Sequence, residues 1–440
     1  MRKTVRTDKW QLRPSADDLL ALSSTVSLFR SYCRALIGVV YTHWDTLGSL
    51  DSDRVVPAVE RLIHSTKKNP GARYAWYFAR RFYKFPSYYR RSAIMFCMGQ
   101  VSSFVSRYRT WQSGDRKRRD ALPPRLNADT GCYPALYAGQ CIKYQKDAVE
   151  IKAFKNGDWV WITIPVAKRG LRHQVESNSQ QSPHLIVRDD QATLSVPFWC
   201  KPQSRTETNS VVSVDLGINI TATVAVVSLD GTVKHREFIH MGRDIDQRDQ
   251  RLQRISSKAS LTMGKGGKLH KGFSQALYRK SRNINTQISR TVARRIVQIA
   301  LQHNVKTIVF EHLKGWRPTA GKRGSTLRQR FHGWLHRGIV NQTEQIWKEQ
   351  GGKVAFINPR GTSSYAYDGS GKLRRDSDNR ANATFSTGKR YNCDLNAAYN
   401  IGARYWLKLK PVAETTLGNQ GTKVIPTSAR IPPYLVWTMD

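Results

Sequence analysis

Three acidic residues in this 440-residue chain stand where a carboxylate is costly unless something cationic compensates it. Asp215 ends the apolar run Val211-Val212-Ser213-Val214 and is followed by Leu216-Gly217-Ile218-Asn219. Glu311 ends a second run, Thr307-Ile308-Val309-Phe310. Asp394 opens a stretch of helical character that continues through Leu395-Asn396-Ala397-Ala398-Tyr399-Asn400-Ile401. Three such carboxylates in a chain of formal net charge +40 suggest a divalent-metal site that cuts phosphodiesters. Two divalent ions about 3.5–4 Å apart activate a water and stabilise the leaving oxygen of an in-line displacement. Carboxylate oxygens suit Mg²⁺ or Mn²⁺, both of which accept phosphate oxygens as further ligands. Gly217, without a Cβ, lets the backbone turn tightly after Asp215 and lets a phosphate approach. Taken singly, each acid has a structural explanation: a strand end for the first two, a helix N-cap for Asp394. Their order, their elements and the basic context together favour the site.

The charge narrows the partner. There are 72 Lys and Arg against 32 Asp and Glu, which favours a polyanion and says nothing of fold. Residues 242–337 hold 22 basic and 4 acidic residues, and residues 61–125 hold 16 and 2. These two separated stretches carry +18 and +14, or +32 of the +40, a pattern expected of a groove rather than a basic tail. The six cysteines are scattered without a Cys-x-x-Cys pair, as expected of reduced thiols. No apolar h-region follows the basic N-terminus, and no apolar run is long enough to span a bilayer. A cytoplasmic protein with no membrane partner is expected.

The elements that must position the acids follow from periodicity. Residues 1–14 hold one strand, 4–13. Ser15 and Asp18 then start a long helix on which Leu22, Val26, Phe29, Cys33, Leu36 and Val40 share a face. Further helix is expected over 53–66 and 71–111, broken at Pro70 and Pro86, giving a helical domain over 15–115. Residues 116–207 begin with the tetrabasic run Arg116-Lys117-Arg118-Arg119 in a linker, then turn to short strands at 148–154, 159–165, 184–187 and 192–199. That pattern predicts a small β-barrel, completed by the strand at 4–13, into which the helical domain is inserted.

Residues 208–357 begin as a β-meander, with strands at 210–215, 221–227 and 233–239 and an Asp230-Gly231 turn. A basic helical insertion, 243–303, contributes helices near 244–260 and 273–303, joined by the flexible connector Gly264-Lys265-Gly266-Gly267-Lys268. A fourth strand ends at Glu311, a helix covers about 327–350, and a fifth strand is 353–357. A polar loop, 358–392, precedes a last helical segment, 393–410, and a polar tail, 411–440, is expected to lack order. Meander, helices, strand, helix, strand, helix is the order of an RNase H-like fold. In that fold the first and fourth strands are neighbours, so Asp215 and Glu311 face each other and a packed helix brings in Asp394.

With these residues laid out, a resemblance is apparent. Val214-Asp215-Leu216-Gly217, Phe310-Glu311-His312-Leu313 and Cys393-Asp394-Leu395-Asn396-Ala397-Ala398-Tyr399-Asn400-Ile401-Gly402 resemble the three split RuvC motifs of the TnpB family. These are transposon-encoded RNA-guided nucleases related to compact type V CRISPR effectors. The loop Asn358-Pro359-Arg360-Gly361-Thr362-Ser363-Ser364 is similar to theirs as well. The resemblance is specific over 208–406 and architectural before it. It implies an α/β and α+β multidomain protein: a RuvC nuclease domain plus a wedge barrel with an inserted recognition domain. It further implies a guide RNA, target DNA in double- and single-stranded form, and a short target-adjacent motif read by the protein. Asp215, Glu311 and Asp394 would be both the catalytic residues and the ligands of two Mg²⁺ or Mn²⁺ ions. The location implied is the prokaryotic cytoplasm, at the nucleoid, with a homodimer left open.

Two features are weighed beside it. Many members of the family carry two Cys-x-x-Cys pairs before the third motif, whereas residues 363–392 contain no cysteine, so no zinc is expected. That loop reads either as solvated or as contacting the target strand through Arg374, Arg375, Lys389 and Arg390. In the basic aromatic stretch 73–85 most rings are expected in a core, with Arg80 and Arg81, and Arg90 and Arg91 beyond it, on phosphates. The rival readings are an RNA-guided repressor that does not cut, and an RNase H-like transposase that needs no RNA.

Overall fold

The computed structural model describes residues 4–114, 122–127, 131–188, 190–263, 267–270, 272–313 and 334–409. The tetrabasic run, much of the Gly264–Lys268 connector, the start of the helix expected from 327 and the tail from 411 lie outside the described residues. The chain divides into two compact units, Met1–Lys201 and Pro202–Asp440.

In the first unit the strand Thr4–Leu12 is central to its sheet. It pairs antiparallel with Gln191–Cys200 on one side and with Asp158–Lys168 on the other. The sheet has seven strands, including Ile142–Tyr144 and Ser179–Gln180, which are too short for a periodicity to reveal. Among the described residues its pairing path is open, running from Ile142–Tyr144 to Ser179–Gln180 without closure between those ends. Ser15 caps the helix Ala16–Thr42 by accepting a hydrogen bond from the Asp18 amide at 3.1 Å. All six apolar residues of its expected face are buried. The helical stretch over 71–111 breaks before Pro86 as expected, into Ala75–Arg81 and Ser87–Gln112; between them Phe82 leaves helical geometry and Lys84 takes a left-handed φ of 55°. Pro57 sits inside Ser52–Ile63 without ending it. Helices and sheet share one hydrophobic core, from Trp10 through Tyr89 to Cys200, so the helical stretch is fastened to the sheet it interrupts.

The second unit is built on a five-stranded sheet in the order Val233–Ile239, Ala222–Ser228, Ser210–Asp215, Thr307–Glu311, Lys353–Ile357. The first three strands are antiparallel and the last two continue parallel, pairing Phe310 with Val214 and with Phe356. Side chains alternate between faces. Val212, Val214, Ile308 and Phe310 point to one face and pack on the helices Gln275–Gln302 and His336–Glu349. Val211, Ser213 and Val309 point to the other, covered by the helix Cys393–Leu409. The stretch 358–392 is more than a polar loop. It contains a three-stranded sheet, Arg374–Arg375, Asn382–Thr384 and Arg390–Asn392, whose strands are too short and polar to register as periodic.

Candidate active site

Strand parity decides where the first two acids point. Asp215 continues the series Val211, Ser213, and Glu311 follows Val309, so both belong to the face covered by the last helix. The register Phe310 to Val214 makes Asp215 and Glu311 neighbours at the carboxyl ends of adjacent parallel strands. On the helix Cys393–Leu409, Asp394 lies on the stripe that includes Ala398, Ile401 and Tyr405, the residues packed on the sheet. Its carboxylate is not consumed in capping. Asn392 does that work, its Oδ1 accepting from the amides of Asp394 and Leu395 at 3.0 Å each. All three acids are half-buried at one edge of the sheet.

Two glycines permit this approach. A Cβ on Gly217 would lie 2.5 Å from the Ile220 carbonyl oxygen, inside the tight turn after Asp215. A Cβ on Gly402 would meet Val227 at 2.9 Å and the Ser213 hydroxyl at 3.2 Å, so Gly402 sets how closely the Asp394 helix sits on the sheet.

The electrostatics are those of crowded anions. Burial pushes the Asp215 carboxyl well above its ordinary value, and the charges of Glu311 and Asp394 push it further. The Arg375 guanidinium opposes them. Glu311 is raised by burial against the Thr362 hydroxyl and the Arg404 charge, and Asp394 is raised by burial against Arg375. Thr362 donates to Glu311 Oε1. Among the described residues no three His, Cys, Asp or Glu side chains stand close enough to hold a metal ion as they are. The donor set nevertheless fits one: hard carboxylate oxygens, mutually repelling and opposed by one arginine beside Asp215 and Asp394.

The expected nucleic-acid contacts fall in different settings. Arg80 and Arg81 are exposed on Ala75–Arg81, lying over the rings of Trp76 and Tyr77. Arg91 is exposed over Tyr137. Arg90 is instead engaged with Glu60 at 2.9 Å and largely buried. Of the aromatic stretch, Phe78, Phe82 and Phe85 are core while Trp76, Tyr77 and Tyr83 are exposed, so, against expectation, the rings are not mostly buried. Arg374 and Arg375 are exposed on the small sheet, and the Arg375 charge acts on Asp215 and Asp394. Arg390 pairs with Asp376 at 2.6 Å, and Lys389 donates to the Tyr367 hydroxyl at 2.6 Å. Sequence reasoning did not single out Thr362 or Arg404. The four-residue spacing of Asn396, Asn400 and Arg404 was a signal for the polar stripe on which Arg404 lies.

Comparison with known proteins now bears on this geometry. Residues 6–155 match the Aq_aa04 family, and residues 184–317 match a family described as "Probable transposase" (OrfB_IS605). The latter segment contains Asp215 and Glu311. The TnpB-like protein aq_aa05 of Aquifex aeolicus (strain VF5) is 29% identical over 164 residues, which is 36% of this chain. The match spans about half, 52%, of that relative's length. In fold the chain is similar to Cas12f1 in a structure of its complex with sgRNA and target DNA. The TM-score is 0.53 at 13% identity, covering 91% of this chain and 99% of the other. CasPhi-2 (Cas12j) bound to crRNA gives a TM-score of 0.49 at 10% identity, covering 91% and 97%. The chain thus resembles TnpB proteins in sequence and a compact type V CRISPR effector in fold.

No helix among the described residues is long and apolar enough to cross a membrane.

Proposed function

We propose that this chain is an RNA-guided DNA endonuclease with a single RuvC-like site formed by Asp215, Glu311 and Asp394. The observation that carries the reading is the convergence of these acids, from two parallel strand ends and one helix, at a single sheet edge in a strongly basic chain. Their oxygens would hold a pair of Mg²⁺ or Mn²⁺ ions, which supply water activation and stabilisation of the leaving oxygen when bound. The chain's own part is to fix the three carboxylates and to bring cations to the phosphates around them. Arg375, whose charge acts on Asp215 and Asp394, would meet the strand being cut. Arg80, Arg81, Arg91 and Arg374 are exposed for backbone contacts, and Arg90, Lys389 and Arg390 reach phosphate only by leaving present partners. Sequence would be read by pairing with a guide RNA, and a short flanking motif by the protein. The expected division is a wedge barrel with an inserted recognition domain, followed by the nuclease domain.

The test is Asp215→Ala in the full chain purified with the RNA it carries. Cleavage of matched DNA should fall below detection while RNA binding stays near that of the parent. Equal loss of both would make Asp215 structural. The transposase reading draws on the match over 184–317. It separates cleanly, since ribonuclease treatment should abolish cleavage here and would leave an RNA-independent transposase active. A repressor without cleavage has no use for three retained acids.

A further inference from the structure

The Asp394 helix carries a polar stripe that the metal-binding reading leaves unexplained. Asn396, Asn400 and Arg404 are four residues apart and so lie along one side of it. Asn396 is fully buried and Asn400 is 6% exposed, positions where apolar side chains would cost less. Each is spent on the loop that follows the fifth strand. Asn400 Nδ2 donates to the carbonyls of Thr362 and Tyr365, both at 2.8 Å. Asn396 donates to the Tyr365 carbonyl and accepts from the Tyr367 amide, each at 2.8 Å. Arg404 donates to the carbonyls of Asn358 and Arg360 at 2.9 and 2.6 Å.

The loop so fastened delivers one side chain to the site. Thr362 is 1% exposed, and its hydroxyl lies within reach of two acceptors, Glu311 Oε1 and the Pro359 carbonyl. A hydroxyl has one proton to give, and an ionised carboxylate is the stronger acceptor. The hydrogen bond to Oε1 therefore fixes the orientation of the Glu311 carboxylate and leaves its remaining lone pairs available to a cation. We infer that Thr362 is a positioning residue that fixes the orientation in which the Glu311 carboxylate would meet a divalent ion. Asn400 anchors Thr362 to the helix bearing Asp394. The second and third acids are thereby held in register through a loop that itself contributes no ligand. This inference rests on the nuclease reading of the site.

The experiment is Mn²⁺ titration of the full chain followed by electron paramagnetic resonance, with thermal unfolding in EDTA measured alongside. Parent, Asp215→Ala, Thr362→Val and Thr362→Ser are compared. Valine keeps the shape and removes the donor, while serine keeps the donor. Losing a group that orients a metal ligand typically weakens affinity about 10–100-fold. Thr362→Val should show a loss of that order and Thr362→Ser should stay within about threefold of the parent. Asn400→Ala should weaken Mn²⁺ binding in the parent background and add little to Thr362→Val, since both act through one contact. Thr362→Val with a lowered melting temperature but parental Mn²⁺ affinity would overturn the inference and leave the site reading standing. A parent chain whose Mn²⁺ binding does not depend on Asp215 would overturn both.

Discussion

Asp215→Asn should make the metal-free protein more stable, because the edge holding Asp215 is strained by its own charge. Burial and the fields of Glu311 and Asp394 all raise the Asp215 carboxyl above its ordinary value. An unfolded Asp215 ionises near pH 3.9 at no cost, whereas the folded chain must hold that charge among others. Stability is therefore whole below that pH and is lost as pH rises above it. Neighbouring strands lie about 4.8 Å apart, so two carboxylates at their ends sit roughly 6 Å from each other. At an effective dielectric near 20 the repulsion is roughly 3 kcal/mol, and roughly 2 kcal/mol once Arg375 and the half-exposed setting are allowed for. Asparagine removes this charge, keeps the shape, and can still accept from the Leu216 amide. For a unit of this size that is roughly 4–8 °C in Tm at pH 7 in EDTA. The gain should shrink to nothing as the pH is lowered through about 4. Magnesium at about 100 times its Kd should stabilise the parent by about 2.7 kcal/mol and the variant far less. Scanning calorimetry at several pH values decides it. A variant no more stable than its parent at pH 7, or a gain that persists at pH 3, would refute the crowded-anion account.

Two further outcomes follow from packing. Gly402→Ala places a Cβ against Val227 and Ser213, so the Asp394 helix must lift. Overpacking of this kind costs about 1–3 kcal/mol, and cleavage should drop more than stability because Asp394 moves with the helix. Trp347→Ala empties the core on the opposite face of the sheet and removes the indole N–H donated to the Lys306 carbonyl at 2.9 Å. It should cost about 3–5 kcal/mol by denaturant unfolding while leaving the charge-dependent gain of Asp215→Asn intact in the surviving folded protein.

Much of the second unit was legible because most of its strands are nearly continuous apolar runs bounded by charge or turn residues. The strands at 210–215, 233–239 and 353–357 fall where their patterns predict, and the others agree within a residue. Strand adjacency was also accessible: element order alone implied that the Asp215 and Glu311 strands are neighbours, as their register shows. What the pattern could not carry was polar structure held by side chains. The three short strands within 358–392 have no alternation to read, and neither Ile142–Tyr144 nor Ser179–Gln180 is long enough to show one. The break at Pro86 was legible, but that the preceding helix stops as early as Arg81 was not, because a left-handed Lys84 looks like any helical lysine in sequence. The engagement of Arg90 by Glu60 depends on two helices meeting, which no local signal reports.

The small sheet explains how Arg375 comes to be beside the acids without ligating cysteines to brace the loop. Strands of two and three residues are not stable alone. These hold because Tyr367 packs edge-on against Phe385, Tyr391 and Tyr399, with ring centroids 5.2–5.6 Å apart. Lys389 lies over Tyr367 and Tyr391, and Arg390 is clamped to Asp376. Tyr399 belongs to the Asp394 helix, so the helix that supplies the third acid also anchors the sheet that supplies the arginine. One guanidinium facing two of the carboxylates, with Arg404 opposing the third, lessens the repulsion but leaves all three raised. Such an edge repels a phosphodiester and attracts hard cations. Arg375 therefore cannot stand in for metal. It lessens the repulsion among the acids, and under the proposed function it would contact the phosphate of a strand held at this edge.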